Sequence, residues 1–214
     1  MENIIYVLLG LTSLIGLAFI GERAWTLRWP SVTPDPIANA LADCRTAEDL
    51  KKLQQICMAN PSPLGRLVLL AVEHLSWSKA ENTSSLETAA RHEVVRLERG
   101  LVVLEIIIGI APLLGLVGTI IGMMTLFGHL GETGMNDATR LAQGISLILK
   151  STLIGLLIAI PALVAWSYFT KKVEVFAVEM EALCDEFIRR QYHETKGEAK
   201  SEGKAEGKNP EAKK

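Results

Sequence analysis

Three stretches of the chain contain no aspartate, glutamate, lysine or arginine at all: Asn3–Gly21, Ile106–Gly131 and Ser151–Thr170. Runs of this kind match the roughly 20 apolar residues that a helix needs to cross the hydrocarbon core of a bilayer. Stretches dense in charge separate them, so the modest mean hydropathy of +0.27 and net charge of -2 average over two kinds of segment. The segregation excludes a soluble domain and points to a polytopic membrane protein. Cysteine is scarce: Cys44, Cys57 and Cys184 are odd in number and lack metal-ligand spacing, which excludes a disulfide framework or a thiolate metal centre. Strongly basic patches are absent, so nothing points to nucleic acid. Histidine offers no pair for a metal or for activating a nucleophile, since His74, His92 and His193 lie in polar segments and His129 stands alone at the edge of an apolar run. Gly144-Ile145-Ser146 carries a serine in an apolar setting, but no membrane histidine is available as its base, and an enzyme is the weakest class.

The longest uncharged run is 26 residues, and its interior repeats small residues. Ala111, Gly115, Gly118 and Gly122 recur at spacings of four, three and four, forming one helical stripe along which a neighbouring backbone can approach closely. Thr119 lies beside that stripe, one turn from Gly115, and Pro112 is the first residue able to kink the helix. The third run reproduces the pattern: Ser151, Gly155, Ala159 and Ala162 make a close-packing stripe, Thr152 is its polar neighbour and Pro161 is a kink candidate.

Taken in order, residues 1–29 read as an anchor helix, with Arg23 and Arg28 after the apolar run and Trp25 and Trp29 suited to the interface. Residues 30–100 read as a helical region: one pattern from Ile37 to Ile56, a second from Leu64 toward Trp77, and a third opened by a capping box at Ser84 and Glu87. Nothing in the pattern interrupts this third helix from Leu86 to Leu104, so it is expected to run unbroken into the second span, 101–131. A short loop, 132–139, precedes the third span, 140–170, which is longer than a bilayer needs; 171–193 reads as an amphipathic helix and 194–214, rich in Lys, Glu, Gly and Ala, as disordered. The loop at 132–139 has no Lys or Arg, against eight in 30–100 and ten in 171–214. The bias of basic residues toward the cytoplasm therefore sets the N-terminus outside and the C-terminus inside.

No Asp or Glu occupies the membrane core except Glu105 at the inner margin of the second span. Buried ionisable groups mark ion paths, so if the chain serves ion movement a partner must supply the carboxylate, with the hydroxyls of Thr119 and Thr152 placed to bond it or its water. Lys150 reads as a residue snorkelling near the outer boundary or, if the embedded part ends near Pro161, as a deep cation needing a carboxylate. The class competing with a channel is a passive helical scaffold in the membrane.

Leu97-Glu98-Arg99-Gly100 leading into Ala111-Pro112-Leu113-Leu114-Gly115-Leu116-Val117-Gly118-Thr119-Ile120-Ile121-Gly122-Met123 resembles the MotA/TolQ/ExbB proton-channel family, most closely its three-span TolQ/ExbB branch. Ser151-Thr152-Leu153-Ile154-Gly155-Leu156 followed by Ala159-Ile160-Pro161-Ala162 reinforces the likeness, which covers nearly all the chain except the tail. The resemblance implies an all-α membrane bundle whose second and third helices extend into the cytoplasm. It further implies a homopentamer in the bacterial inner membrane, without cofactor or metal, enclosing the single membrane helices of an ExbD/TolR-like partner that carries a membrane Asp. Proton flow would then be used to do work on the envelope, through a TonB- or TolA-like protein, and Thr119 and Thr152 match the family's pore-facing threonines. One departure is plain: ExbB-type chains often carry Glu five residues before the second threonine, and here the position is Leu147.

Overall fold

The computed structural model describes residues 2–133 and 138–206, and among these the fold is all-α. Eight α-helices follow in order: α1 Glu2–Thr26, α2 Trp29–Val32, α3 Asp35–Asp43, α4 Ala47–Ala59, α5 Pro63–Glu73, α6 Lys79–Glu98, α7 Leu101–Thr133 and α8 Ala138–Glu206, with a 3-10 turn at His74–Ser76. Three segments are long and apolar enough to cross a membrane, Ile4–Thr26, Leu101–Gly128 and a part of Gly144–His193. The chain divides into two compact units.

The first unit comprises Met1–Leu27 and Glu98–Lys172. Here α1 runs antiparallel to α7: Ile107 lies at Gly16, Ile5 approaches Gly118, and the Arg23 guanidinium lies against Gly100. A correction lies at this last contact. The helix expected to run unbroken from Leu86 through Leu104 stops at Glu98 and restarts at Leu101, across a turn at Arg99 and Gly100. A Cβ at Gly100 would meet the Arg23 guanidinium unless that side chain moved, and glycine costs a helix about 1 kcal/mol relative to alanine. Large apolar side chains such as Val7 (69% exposed) and Met124 (70%) cover the outside of this unit, a surface suited to lipid or neighbouring helices and not to water.

The second unit comprises Arg28–Leu97 and Val173–Lys214. Its core is ordinary and aliphatic, with Ile37, Leu53, Leu64, Leu67, Met180 and Ile188 almost fully buried and Phe176 packed on Trp29 at 5.1 Å between ring centres. Trp29 thus opens α2 in this unit, and α1 ends three residues earlier than the 1–29 boundary suggested. The pattern from Ile37 to Ile56 is two helices, split at Cys44–Thr46 because Thr46 and Asp49 form a capping box: Asp49 N–H donates to Thr46 Oγ1 at 3.3 Å and Thr46 N–H to Asp49 Oδ2 at 3.0 Å. The helix expected to begin near Ser84 begins at Lys79, because Ser78 and Glu81 offer the same spacing six residues earlier and make the bonds, Ser78 N–H to Glu81 Oε2 at 3.2 Å and Glu81 N–H to Ser78 Oγ at 3.3 Å.

The extra turn carries Asn82 inward, where its Nδ2 donates to the Ala71 carbonyl at 3.0 Å. Nearby, the Tyr192 hydroxyl donates to the Trp77 carbonyl at 2.9 Å, and the Arg66 guanidinium grips Glu93 through both oxygens, at 2.8 and 2.5 Å. That grip holds the Glu93 carboxyl below the usual glutamate range, so the pair is ionised at neutral pH. Burial pushes the Cys57 thiol up to about 11 and the Cys184 thiol up as well, which makes both inert packing groups.

The third span at 140–170 and the amphipathic helix at 171–193, expected as separate segments, are one helix, α8, because neither glycine nor proline occurs between Pro161 and Gly197. Helix α8 also continues to Glu206 through part of the stretch for which composition suggests disorder; Glu, Ala and Lys there are good helix formers. The loop expected at 132–139 is shortened from both sides, since α7 ends at Thr133 and α8 begins at Ala138, while 134–137 and 207–214 lie outside the described residues.

Candidate functional site: a glycine seam flanked by two threonines

Within the first unit, α7 and α8 form an antiparallel hairpin joined along the two small-residue stripes. A Cβ at Gly155 would meet the Ala111 carbonyl oxygen at 2.6 Å, one at Gly115 the Ser151 carbonyl oxygen at 2.9 Å and Thr152 Cα at 3.1 Å, and one at Gly122 the Ile148 side chain at 2.7 Å. At Gly115 and Gly155 backbone lies against backbone, and any side chain there would hold the helices apart. Gly118 is the point where three helices meet, with Ser151 of α8 on one side and Ile5 of α1 on the other.

This seam positions both threonines. Thr152 belongs to the Gly115 contact directly and Thr119 follows Gly115 by one turn, so the two threonines are carried on adjacent helices about a turn apart along the hairpin, each residue half-buried. The Thr119 hydroxyl donates to the Leu116 carbonyl at 2.7 Å, which leaves its lone pairs to accept from another group. Pro112 and Pro161 lie inside α7 and α8. Lacking an N–H, each frees the carbonyl four residues earlier, at Ile108 and Leu157. Glu105 and Lys150 are both exposed on their helices and are not brought to the threonines. Leu147 is helical, but its side chain is outside those described.

Ser151 is the residue whose role the sequence pattern hid. Read there as one small member of a packing stripe, it is 2% exposed and its hydroxyl has no hydrogen-bond partner among the described residues. Its position against Gly118 explains the burial; the only sequence signal was a hydroxyl where alanine would have packed as well.

Chemically the seam provides hydroxyls and freed carbonyls but no group that titrates near neutral pH, and among the described residues no cluster of three His, Cys, Asp or Glu is present that would hold a metal. Such a site can hydrogen-bond a proton-carrying group or its water, and needs that group from elsewhere.

Comparisons with known proteins identify the family. The MotA/TolQ/ExbB proton channel family matches residues 60–182, which includes all of the hairpin contacts above. An ExbB-like protein of Synechocystis sp., number 3, is 30% identical over 85% of this chain and 89% of its own length. The biopolymer transport protein ExbB of Helicobacter pylori is 40% identical over 38% of this chain, and that of Aquifex aeolicus 31% over 42%. The matches span 56% and 61% of those two proteins' lengths. With the family's match covering more than half of its residues, and the paired threonine-bearing helices inside that match, the chain belongs to the MotA/TolQ/ExbB proton channel family.

Proposed function

We propose that this chain is the proton-channel subunit of an ExbB-like motor in the bacterial inner membrane, which uses the proton-motive force to energise envelope processes such as TonB-dependent outer-membrane transport. The observation that supports the reading is a close-packed glycine seam that carries Thr152 and, one turn along, Thr119, in apolar runs free of carboxylates. Copies of the chain, five by resemblance, surround the membrane helices of an ExbD/TolR-like partner whose Asp binds and releases the proton, and a TonB- or TolA-like protein delivers the work. The alternative within the family is a TolQ-like subunit that serves envelope maintenance. Each proton carries about 2.3 kcal/mol per 100 mV, enough to bias a step between equivalent packings of inner helices without unfolding the bundle.

Reconstitution into vesicles tests the reading. Potential-driven acidification is expected only when an ExbD/TolR-like protein is present with its membrane Asp intact. Equal flux with and without the partner would overturn the division of labour, and no flux in any preparation would leave a passive scaffold. The orientation follows from the Lys/Arg bias, with the N-terminus periplasmic and the C-terminus cytoplasmic. A cysteine introduced within 132–139 is expected to react with an impermeant thiol reagent in intact cells, and one at Thr83 is not; labelling at Thr83 would reverse the topology.

A further inference from the structure

Helix α1 takes one side of the hairpin formed by α7 and α8 and leaves the other bare. Counting about 100° per residue from the middle of the stripe Ala111, Gly115, Gly118 and Gly122, the α7 residues that meet α1 project about 30–50° to one side; they are Gly100, Ile107 and Gly118. Thr119, Pro112 and Glu105 project about 70°, 90° and 110° to the other. Seven residues separate each from the next, so the three form a single line along the helix. Helix α8 runs antiparallel, and Thr152, about 60° from the middle of its own stripe, projects to the same bare side. So does the carbonyl that Pro112 frees, on Ile108 about 50° from the middle.

The contacts of Ala111 with Gly155 and of Gly115 with Ser151 set the register of the two helices, and with it the level of each group. Toward the start of α7, Thr152 lies about 8 Å beyond Thr119, Ile108 about 9 Å beyond Thr152, and Glu105 about 5 Å beyond Ile108. Two or three waters, about 2.8 Å apart, bridge any of these gaps. Among the described residues of the second and third spans, Glu105 is the one titratable side chain on this side, since Lys150 and Tyr168 project about 140° the other way from the α8 stripe. Glu105 lies about 8 Å of helix rise beyond the level where the Arg23 guanidinium meets Gly100, and its two methylenes are too short to return the carboxylate to that level. A carboxylate so placed faces water or protein and not lipid, which agrees with the threonines on the same side.

We propose that Glu105 is the exit group of the proton path, the carboxylate that takes each proton arriving past Thr119 and Thr152 and passes it to cytoplasmic water. The assignment rests on the partner-dependent channel proposed above and adds to it a titrating residue from this chain. A proton released by the partner's carboxyl moves along water held by the Thr152 hydroxyl and the Ile108 carbonyl. The Glu105 carboxylate becomes a carboxylic acid, then gives the proton to water and regains its charge. Hydroxyls and carbonyls guide such a proton but do not store it, and an excess proton in a stretch of low dielectric is costly unless a negative charge lies ahead of it.

Vesicles holding the full chain and an ExbD/TolR-like protein test this through the pH inside them. Glu105→Gln is expected to lower partner-dependent flux about 100-fold, the modest end for losing a positioned proton-transfer group, and Glu105→Asp to keep most of it. Glu105→Cys supplies a readout that a packing role does not move. Its thiolate displaces iodide from iodoacetate, which places a carboxylate close to where Glu105 held one, or from iodoacetamide, which places a neutral amide of the same size. Cys44, Cys57 and Cys184 are buried, so the reagents address the introduced thiol. The iodoacetate product is expected to conduct about 10-fold faster than the iodoacetamide product, or more. Equal flux from the two products, or undiminished flux in Glu105→Gln, would overturn the assignment and leave the channel standing. Absence of partner-dependent flux in the unaltered protein would overturn the channel itself, and this assignment with it.

Discussion

Gly155→Leu is expected to separate α7 from α8 and to abolish flux in vesicles containing the partner, down to the level of empty vesicles. The Cβ that any replacement introduces lies 2.6 Å from the Ala111 carbonyl oxygen and 3.3 Å from Gly115 Cα. Both are backbone atoms, so relief comes only from moving a whole helix, and overpacking of this kind costs about 3 kcal/mol or more when nothing flexible can give way. Gly109 supplies the control. A Cβ there meets nothing within 4 Å, and Gly109→Ala is expected to leave the hairpin intact. Resistance of the purified protein to heat in mild detergent checks both, and a Gly155→Leu protein as stable and active as the parent would show that the seam is dispensable.

The second large effect is chemical and leaves the shape alone. Thr152→Val and Thr119→Val replace a hydroxyl with a methyl at nearly constant volume, so the assembly is expected to form normally in both. A hydrogen bond to a charged or proton-carrying group contributes about 1.5–3 kcal/mol, and losing it is expected to slow partner-dependent flux by about 10- to 100-fold. Thr119 already donates to the Leu116 carbonyl, so what its valine variant removes is an acceptor, the role suited to a protonated carboxyl. Measured by the pH inside the vesicles, unchanged flux in both variants would show that proton movement does without these two hydroxyls.

The three spans were legible because hydrocarbon tolerates neither charge nor short helices, and the seam was legible because Gly115, Gly118, Gly122 and Gly155 recur at helical spacing. Three features depended on neighbours distant in sequence. The choice between Ser78 with Glu81 and Ser84 with Glu87 as the start of α6 is a tie in local chemistry, and the earlier start goes with the burial of Asn82 against Ala71. The break at Gly100 lies against Arg23, on a different helix. The burial of Ser151 answers to Gly118. Local pattern identifies which face of a helix packs; it carries no information on what packs against it.

The glycine seam gives this chain a second kind of cohesion. The unit built on Ile37, Leu53, Leu64 and Phe176 is held by apolar surface withdrawn from water, a force that carries a large heat-capacity change and fades on cooling. Along Gly115, Gly118 and Gly155 the alternative to contact is lipid, as apolar as the contact itself, so attraction there is dispersion between close backbones with little heat-capacity change. In a cold cell the first unit to loosen is the one with the conventional core, while the paired helices bearing Thr119 and Thr152 keep their grip.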